Sequence, residues 1–128
     1  DPSYAGQIIT FTFPHIGNVG VNEADIETVD MAAASGVRGA VLHARVTAPS
    51  NHRSTRHFDA WLKARGIVGI TGVDTRALTA LIRDRGMPNA IVAHDPEGRF
   101  DLAALRARAK ALPSMAGLDL VPMVTGAK

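Results

Sequence analysis

The chain has 128 residues and no cysteine. That absence removes disulfide frameworks, thiolate metal sites and cysteine nucleophiles together. No apolar run approaches the ~20 residues needed to cross a bilayer, and the N-terminus does not read as a signal peptide. The expectation is a soluble, cytoplasmic protein with no membrane partner. An excess of one charge is also missing. Fourteen basic and 12 acidic side chains leave a formal net charge of +2, and they are mostly interleaved. The densest basic run, "RARAK" from Arg106 to Lys110, has its cations at every second position. On a helix that spacing spreads them around the outside, which reads as a solvated face and not as a nucleic-acid footprint.

There is no repeat of 20 to 50 residues and no low-complexity tract. What is present is 46% hydrophobic content spread along the whole length, enough for one domain with a core and too short for two ordinary ones. The chain starts at Asp1 without an initiator methionine and stops at "VTGAK", so it is expected to be a piece of something longer.

The order of elements points to an α/β domain. Gln7 to Phe13 has the β-branched and aromatic content of a strand, ended by Pro14. A helix near Ile26 to Ser35, stopped by Gly36, and a strand candidate from Val37 to Val46 follow. Ser54 or Thr55 is the expected cap of a helix with Phe58, Trp61 and Leu62 at i, i+3 and i+4, and Gly66 is its stop. Ile67 to Thr71 reads as a short strand buried on both faces. Asp74 then caps a helix carrying Leu78, Leu81 and Ile82 and ending at Gly86. Asn89 to Ala93 is a further apolar strand, "HDPEG" a turn, and Asp101 caps a last helix with Leu102, Leu105, Ala109 and Leu112 inward. Alternating strands and helices predict helices packed on a sheet, mixed because the first strands lack evident crossovers.

Chemistry-bearing residues are sparse. The stretch "QIITFTFPHIGNVGVN" runs from a strand into a loop, His15 to Asn22, that holds Gly17, Asn18 and Gly20. Strand ends opening into glycine-rich loops are common ligand sites in α/β proteins, yet the same glycines also suit a turn at positive φ. The loop has neither the lysine of a phosphate-binding Walker sequence nor the third glycine of a dinucleotide fingerprint. The histidines at 15, 43, 52, 57 and 94 lack the i, i+4 spacing of a metalloprotease, so no metal site is expected. None of the serines at 3, 35, 50, 54 and 114 sits in a G-x-S-x-G elbow. The residues alone describe a soluble α/β domain with one loop of interest and no complete catalytic apparatus.

Two long blocks go further. "DPSYAGQIITFTFPHIGNVGVN" and "GIVGITGVDTRALTALIRDRG", with "PSNHR" between them, resemble the small, glutamine-cleaving subunit of carbamoyl-phosphate synthase in order and separation. The resemblance covers nearly all of the chain and about a third of such a subunit. It implies that residues 1–128 form most of an amino-terminal domain of the swivelling β/β/α type. The first strands would be missing, and the amidotransferase domain that follows, with its Cys-His-Glu triad, absent. The implied activity is glutamine hydrolysis, with ammonia tunnelled to a large subunit that uses ATP with magnesium and bicarbonate to make carbamoyl phosphate for arginine and pyrimidine synthesis. No cofactor is implied for this domain. Its implied partners are the large subunit, the amidotransferase domain and L-glutamine. Ser3 matches the family serine that hydrogen-bonds glutamine. His15, Gly17, Asn18, Gly20 and Asn22 would line a pocket edge or an interface, and the Asp74-Thr75-Arg76 motif is read first as a helix start. Two other readings are a free-standing interaction module without amidotransferase activity, and a small-molecule domain using the His15 loop for phosphate.

Overall fold

Short stretches of apolar, β-branched sequence form three strands: β1 (Ile8–Thr10), β2 (Gly39–Val41) and β3 (Val68–Ile70). A computed structural model describes residues 2–22, 24, 36–119 and 121–124; the helix expected near Ile26 to Ser35 lies outside the described residues. The strands form a sheet in the order β1-β2-β3, with Ile9 opposite Ala40 and Ala40 opposite Gly69. The α/β class expected from the alternation of elements is what forms. Both strand pairs are parallel, because the β1–β2 connection is long enough for a crossover and a helix links β2 to β3. Antiparallel pairing among the described residues is confined to one isolated bridge, Val21 with Arg56.

Each strand is shorter than the apolar run that contains it. Past Thr10 and Val41 the chain still exchanges single hydrogen bonds, Phe11 N–H to Val41 O at 3.0 Å and Leu42 N–H to Ile70 O at 2.8 Å, before the loops diverge. β3 is not buried on both faces as expected: Gly69 is exposed and Ile70 is 38% exposed, because β3 is an edge strand in this sheet.

Helix α1 (Phe58–Ala64) packs on β3. Its cap is His57, whose Nδ1 accepts the Asp59 N–H at 3.1 Å. Ser54 and Thr55, the expected caps, are occupied elsewhere: their hydroxyls donate to Arg56 O at 3.2 Å and Val21 O at 3.0 Å. Leu62 is buried, Phe58 stacks on Trp61 with centroids 6.0 Å apart, and the Arg65 guanidinium lies 4.3 Å from the Trp61 ring. Gly66 follows at φ +63.

Helix α2 (Thr75–Arg85) begins where expected, with the Asp74 carboxylate accepting the Ala77 N–H at 3.0 Å, and ends at Gly86 with φ +85. Asn89 to Ala93 then departs from expectation, forming no strand. It lies against the sheet instead of extending it: a Cβ on Gly39 of the central strand would sit 2.5 Å from Val92 Cγ1. The apolar run is used to cover β2, and a glycine there permits the approach. The "HDPEG" turn forms, with Asp95 accepting N–H groups of Glu97 (side chain, 2.7 Å) and Gly98 (backbone, 3.0 Å).

Helix α3 (Leu102–Ala111) is capped by Asp101, which accepts the Ala104 N–H at 2.9 Å. Its expected inner side is only half covered: Leu105 and Ala109 are partly buried, while Leu102 and Leu112 are exposed. A bond from Asn89 Nδ2 to Leu112 O at 2.6 Å ties down its end. A last short helix, α4 (Val121–Val124), follows. Among the described residues the core is small: Ala5, Ala40, Leu42, Leu62 and the side chain of Thr75. None of the described helices is long and apolar enough to cross a membrane.

Candidate functional site

Ser3 sits in a one-turn 3-10 helix, Pro2–Tyr4, just before β1, and is exposed. The turn is held from three directions. Gln7 N–H donates to Tyr4 O at 3.1 Å, Gly6 N–H to Gly36 O at 3.1 Å, and Gln7 Nε2 to Ser3 O at 3.2 Å. Gly6 adopts φ +73 to let the chain turn into the strand. Ser3 is therefore presented at the amino edge of the sheet by a turn whose following residues are tied down.

The His15 loop opens at the other end of β1. Its glycines make room for neighbours. Gly17 and Gly20 have φ +80 and +78, and Gly20 N–H closes a turn on Gly17 O at 2.9 Å. A Cβ on Gly17 would lie 2.6 Å from Phe58 Cγ, and one on Gly20 would lie 2.6 Å from Ser54 Cβ. The loop is stitched to the segment 48–56. Asn18 O accepts both Ser50 N–H at 2.9 Å and Ser50 Oγ at 3.1 Å, while Val21 exchanges backbone bonds with Thr55 and Arg56. Asn22 Oδ1 accepts the Ala24 N–H at 3.1 Å. Pro14 O accepts Ala44 N–H at 3.1 Å, and His15 itself is exposed. Buried Asn18 Oδ1 has no hydrogen-bond partner among the described residues. Ser3 and the His15 loop thus lie at opposite ends of β1, and the structure does not bring them together.

The motif Asp74-Thr75-Arg76 starts α2. Asp74 is spent on the cap, Arg76 is exposed and Thr75 is 1% exposed, with its carbonyl accepting Thr79 Oγ1 at 2.7 Å. No group of three or more His, Cys, Asp or Glu side chains among the described residues could hold a metal ion.

A second place was missed from the sequence. An open hollow of about 290 Å³ lies beyond the carboxyl ends of β2 and β3, under the start of α1. It is lined by Leu42, Arg45, Val46, His57, Asp59, Leu62, Gly69 and Thr71. These residues come from three separate stretches, 42–46, 57–62 and 69–71, so no local motif marks them. The only signal is topological: ligands of open α/β sheets gather outside the carboxyl ends of the strands.

The comparisons with known proteins agree on one family. A model described as "Carbamoyl-phosphate synthase small chain, CPSase domain" matches residues 1–92. The carbamoyl phosphate synthase small chain of Bradyrhizobium diazoefficiens is 66% identical over 125 residues, covering 98% of this chain and 32% of that protein. That of Rhizobium meliloti is 60% identical over 125 residues (98% and 31%), and that of Agrobacterium fabrum 62% identical over 120 residues (94% and 30%). The chain spans about a third of the length of the curated relatives it matches. On a family match that reaches from the Ser3 turn through β1, β2, α1, β3 and α2, the chain belongs to the carbamoyl-phosphate synthase small-chain family.

Proposed function

We propose that residues 1–128 act as an amino-terminal domain of the glutamine-hydrolysing subunit of carbamoyl-phosphate synthase, and that Ser3 helps to hold the glutamine. In this reading the chemistry belongs to other parts of the assembly. An amidotransferase domain releases ammonia from glutamine through a Cys-His-Glu triad, and a large subunit joins it to bicarbonate with ATP and magnesium. The product, carbamoyl phosphate, feeds arginine and pyrimidine synthesis. This domain packs on the large subunit and contributes one edge of the glutamine pocket, working in the cytoplasm.

The observation that supports a binding role for Ser3 is its presentation: it is exposed on a 3-10 turn fixed by bonds to Tyr4, Gly36 and Gln7. A serine hydroxyl can donate to a carboxylate or accept from an ammonium, so it can orient an amino acid without reacting with it. A hydrogen bond made equally to substrate and transition state lowers KM and leaves kcat alone. The test is Ser3→Ala in the full-length subunit with its large partner, assayed with glutamine and with ammonia as nitrogen donor. The expected result is a rise of about tenfold in KM for glutamine, the loss of one hydrogen bond to a charged group, with ammonia-dependent synthesis unchanged. Unchanged kinetics with both donors would reduce Ser3 to a turn residue.

A further inference from the structure

We propose that the half-covered apolar side of α3 is the seat for the rest of the small chain, which meets it with a surface that is apolar at its centre and acidic at its borders. The inference rests on the reading of residues 1–128 as an amino-terminal domain. Leu102, Leu105, Ala109 and Leu112 follow one another at i, i+3, i+7 and i+10, so at about 3.6 residues per turn they lie within an arc of roughly 80°. The middle of this stripe is used inside the domain: Leu105 and Ala109 are half-buried. Its two ends are bare, with Leu102 62% and Leu112 45% exposed. Arg106 and Arg108 stand roughly 40° beyond either side of the stripe, and both are exposed without a carboxylate partner among the described residues. An apolar seam between cations is complemented by an apolar seam between carboxylates.

Position and size single out the occupant. All of the described core, Ala5, Ala40, Leu42, Leu62 and Thr75, falls within residues 1–92, the span of the family domain. Beyond it Phe100, Leu102, Leu112 and Leu118 are exposed, although the likeness to the curated small chains runs over 125 residues and so through α3. α3 is thus a part of the small chain that its own domain leaves half covered, and about two thirds of the length of such a chain lies outside these residues. A separate protein needs about 800 Å² on each side, about 20–30 residues, to associate stably. A helix of 10 residues with two bare leucines falls short of that. A surface on the same polypeptide is held at an effective concentration of about millimolar by the linkage itself, so a contact this small is enough.

Ser3→Ala kinetics decide the glutamine reading and the exchange of α3 amides decides the seat, so either can fail without the other. The test is hydrogen exchange in the full-length small chain, first alone and then with the large subunit. In the small chain alone the α3 amides should exchange slowly, and Leu102→Gln should speed them about tenfold by removing an apolar contact that this domain does not itself make. Leu112→Gln should do the same. Arg106→Glu combined with Arg108→Glu should speed them about threefold, since like charges then replace opposite ones at the border. Ala107→Gln, on the far side of the helix from the stripe, should leave the rate unchanged. The proposal is overturned if Leu102→Gln exchanges at the wild-type rate, if Ala107→Gln is accelerated as much as Leu102→Gln, if the charge reversals fail to speed exchange, or if α3 becomes protected only when the large subunit is added.

Discussion

Gly20 and Gly86 have almost the same backbone angle, φ +78 and +85, but very different neighbours. A methyl group on Gly86 would meet nothing within 4 Å, whereas one on Gly20 would run into Ser54 and lie 2.9 Å from Pro49 Cβ. Gly86→Ala should therefore carry only the cost of placing a side chain at φ +85 and ψ 171, a region open essentially to glycine, about 1–3 kcal/mol. Gly20→Ala should add the overpacking of a stitched loop pair, for a total of about 2–4 kcal/mol. Urea unfolding of both variants separates the two costs, and equal losses would show that the His15 loop is not closely packed on segment 48–56. The contrast also explains why the loop could be read two ways from sequence. A glycine needed for its angle and a glycine needed for its lack of a side chain are the same letter. The neighbours that distinguish them, Ser54 and Phe58, lie more than thirty residues away.

At the scale of elements, the two aspartate caps are equivalent in chemistry and unequal in what they support. Asp74 and Asp101 each accept an N–H three residues on, at 3.0 and 2.9 Å, a bond that is worth about 1 kcal/mol. α2 packs on β1 and buries Thr75 at its first turn, while no residue of α3 is buried. Asp74→Ala should lower the global unfolding free energy by about 1 kcal/mol. Asp101→Ala should leave the global transition within ~0.3 kcal/mol and instead speed hydrogen exchange along α3, since a helix that is loosely attached opens locally. A global loss of equal size in both variants would mean that α3 is integral to the cooperative unit. Both caps and the Gly86 stop were legible because each is written within four residues of the element it controls. The cap of α1 was not, since its nearest candidates, Ser54 and Thr55, are diverted by Val21 and the Arg56 carbonyl. Nor was the fate of Asn89 to Ala93, because an apolar run of five says that it will be covered without saying whether by joining a sheet or by lying on one.

Among the described residues little is buried. Four aliphatic side chains and Thr75 make up the described core, far less than the 46% hydrophobic content would suggest. Many other described apolar residues are half-buried, and Phe13, Val19, Met87, Phe100, Leu102, Leu112, Leu118 and Val121 are exposed. Stability should therefore be concentrated in very few positions. Leu42, 2% exposed, follows β2 at the centre of the sheet and faces both the core and the hollow. Leu42→Ala should cost about 2–5 kcal/mol, the usual range for a buried leucine, which is a large part of the 5–15 kcal/mol available to an ordinary domain. Leu102, 62% exposed on α3, has little to lose, so Leu102→Lys should change stability by less than ~0.5 kcal/mol. Denaturation of this chain expressed by itself gives both numbers. If Leu102→Lys proves as damaging as Leu42→Ala, α3 is covered in solution by a contact absent from this structure. If only Leu42→Ala is damaging, the exposed leucines are surplus to the fold, and their upkeep must be sought in what the surface meets, not in what holds the sheet together.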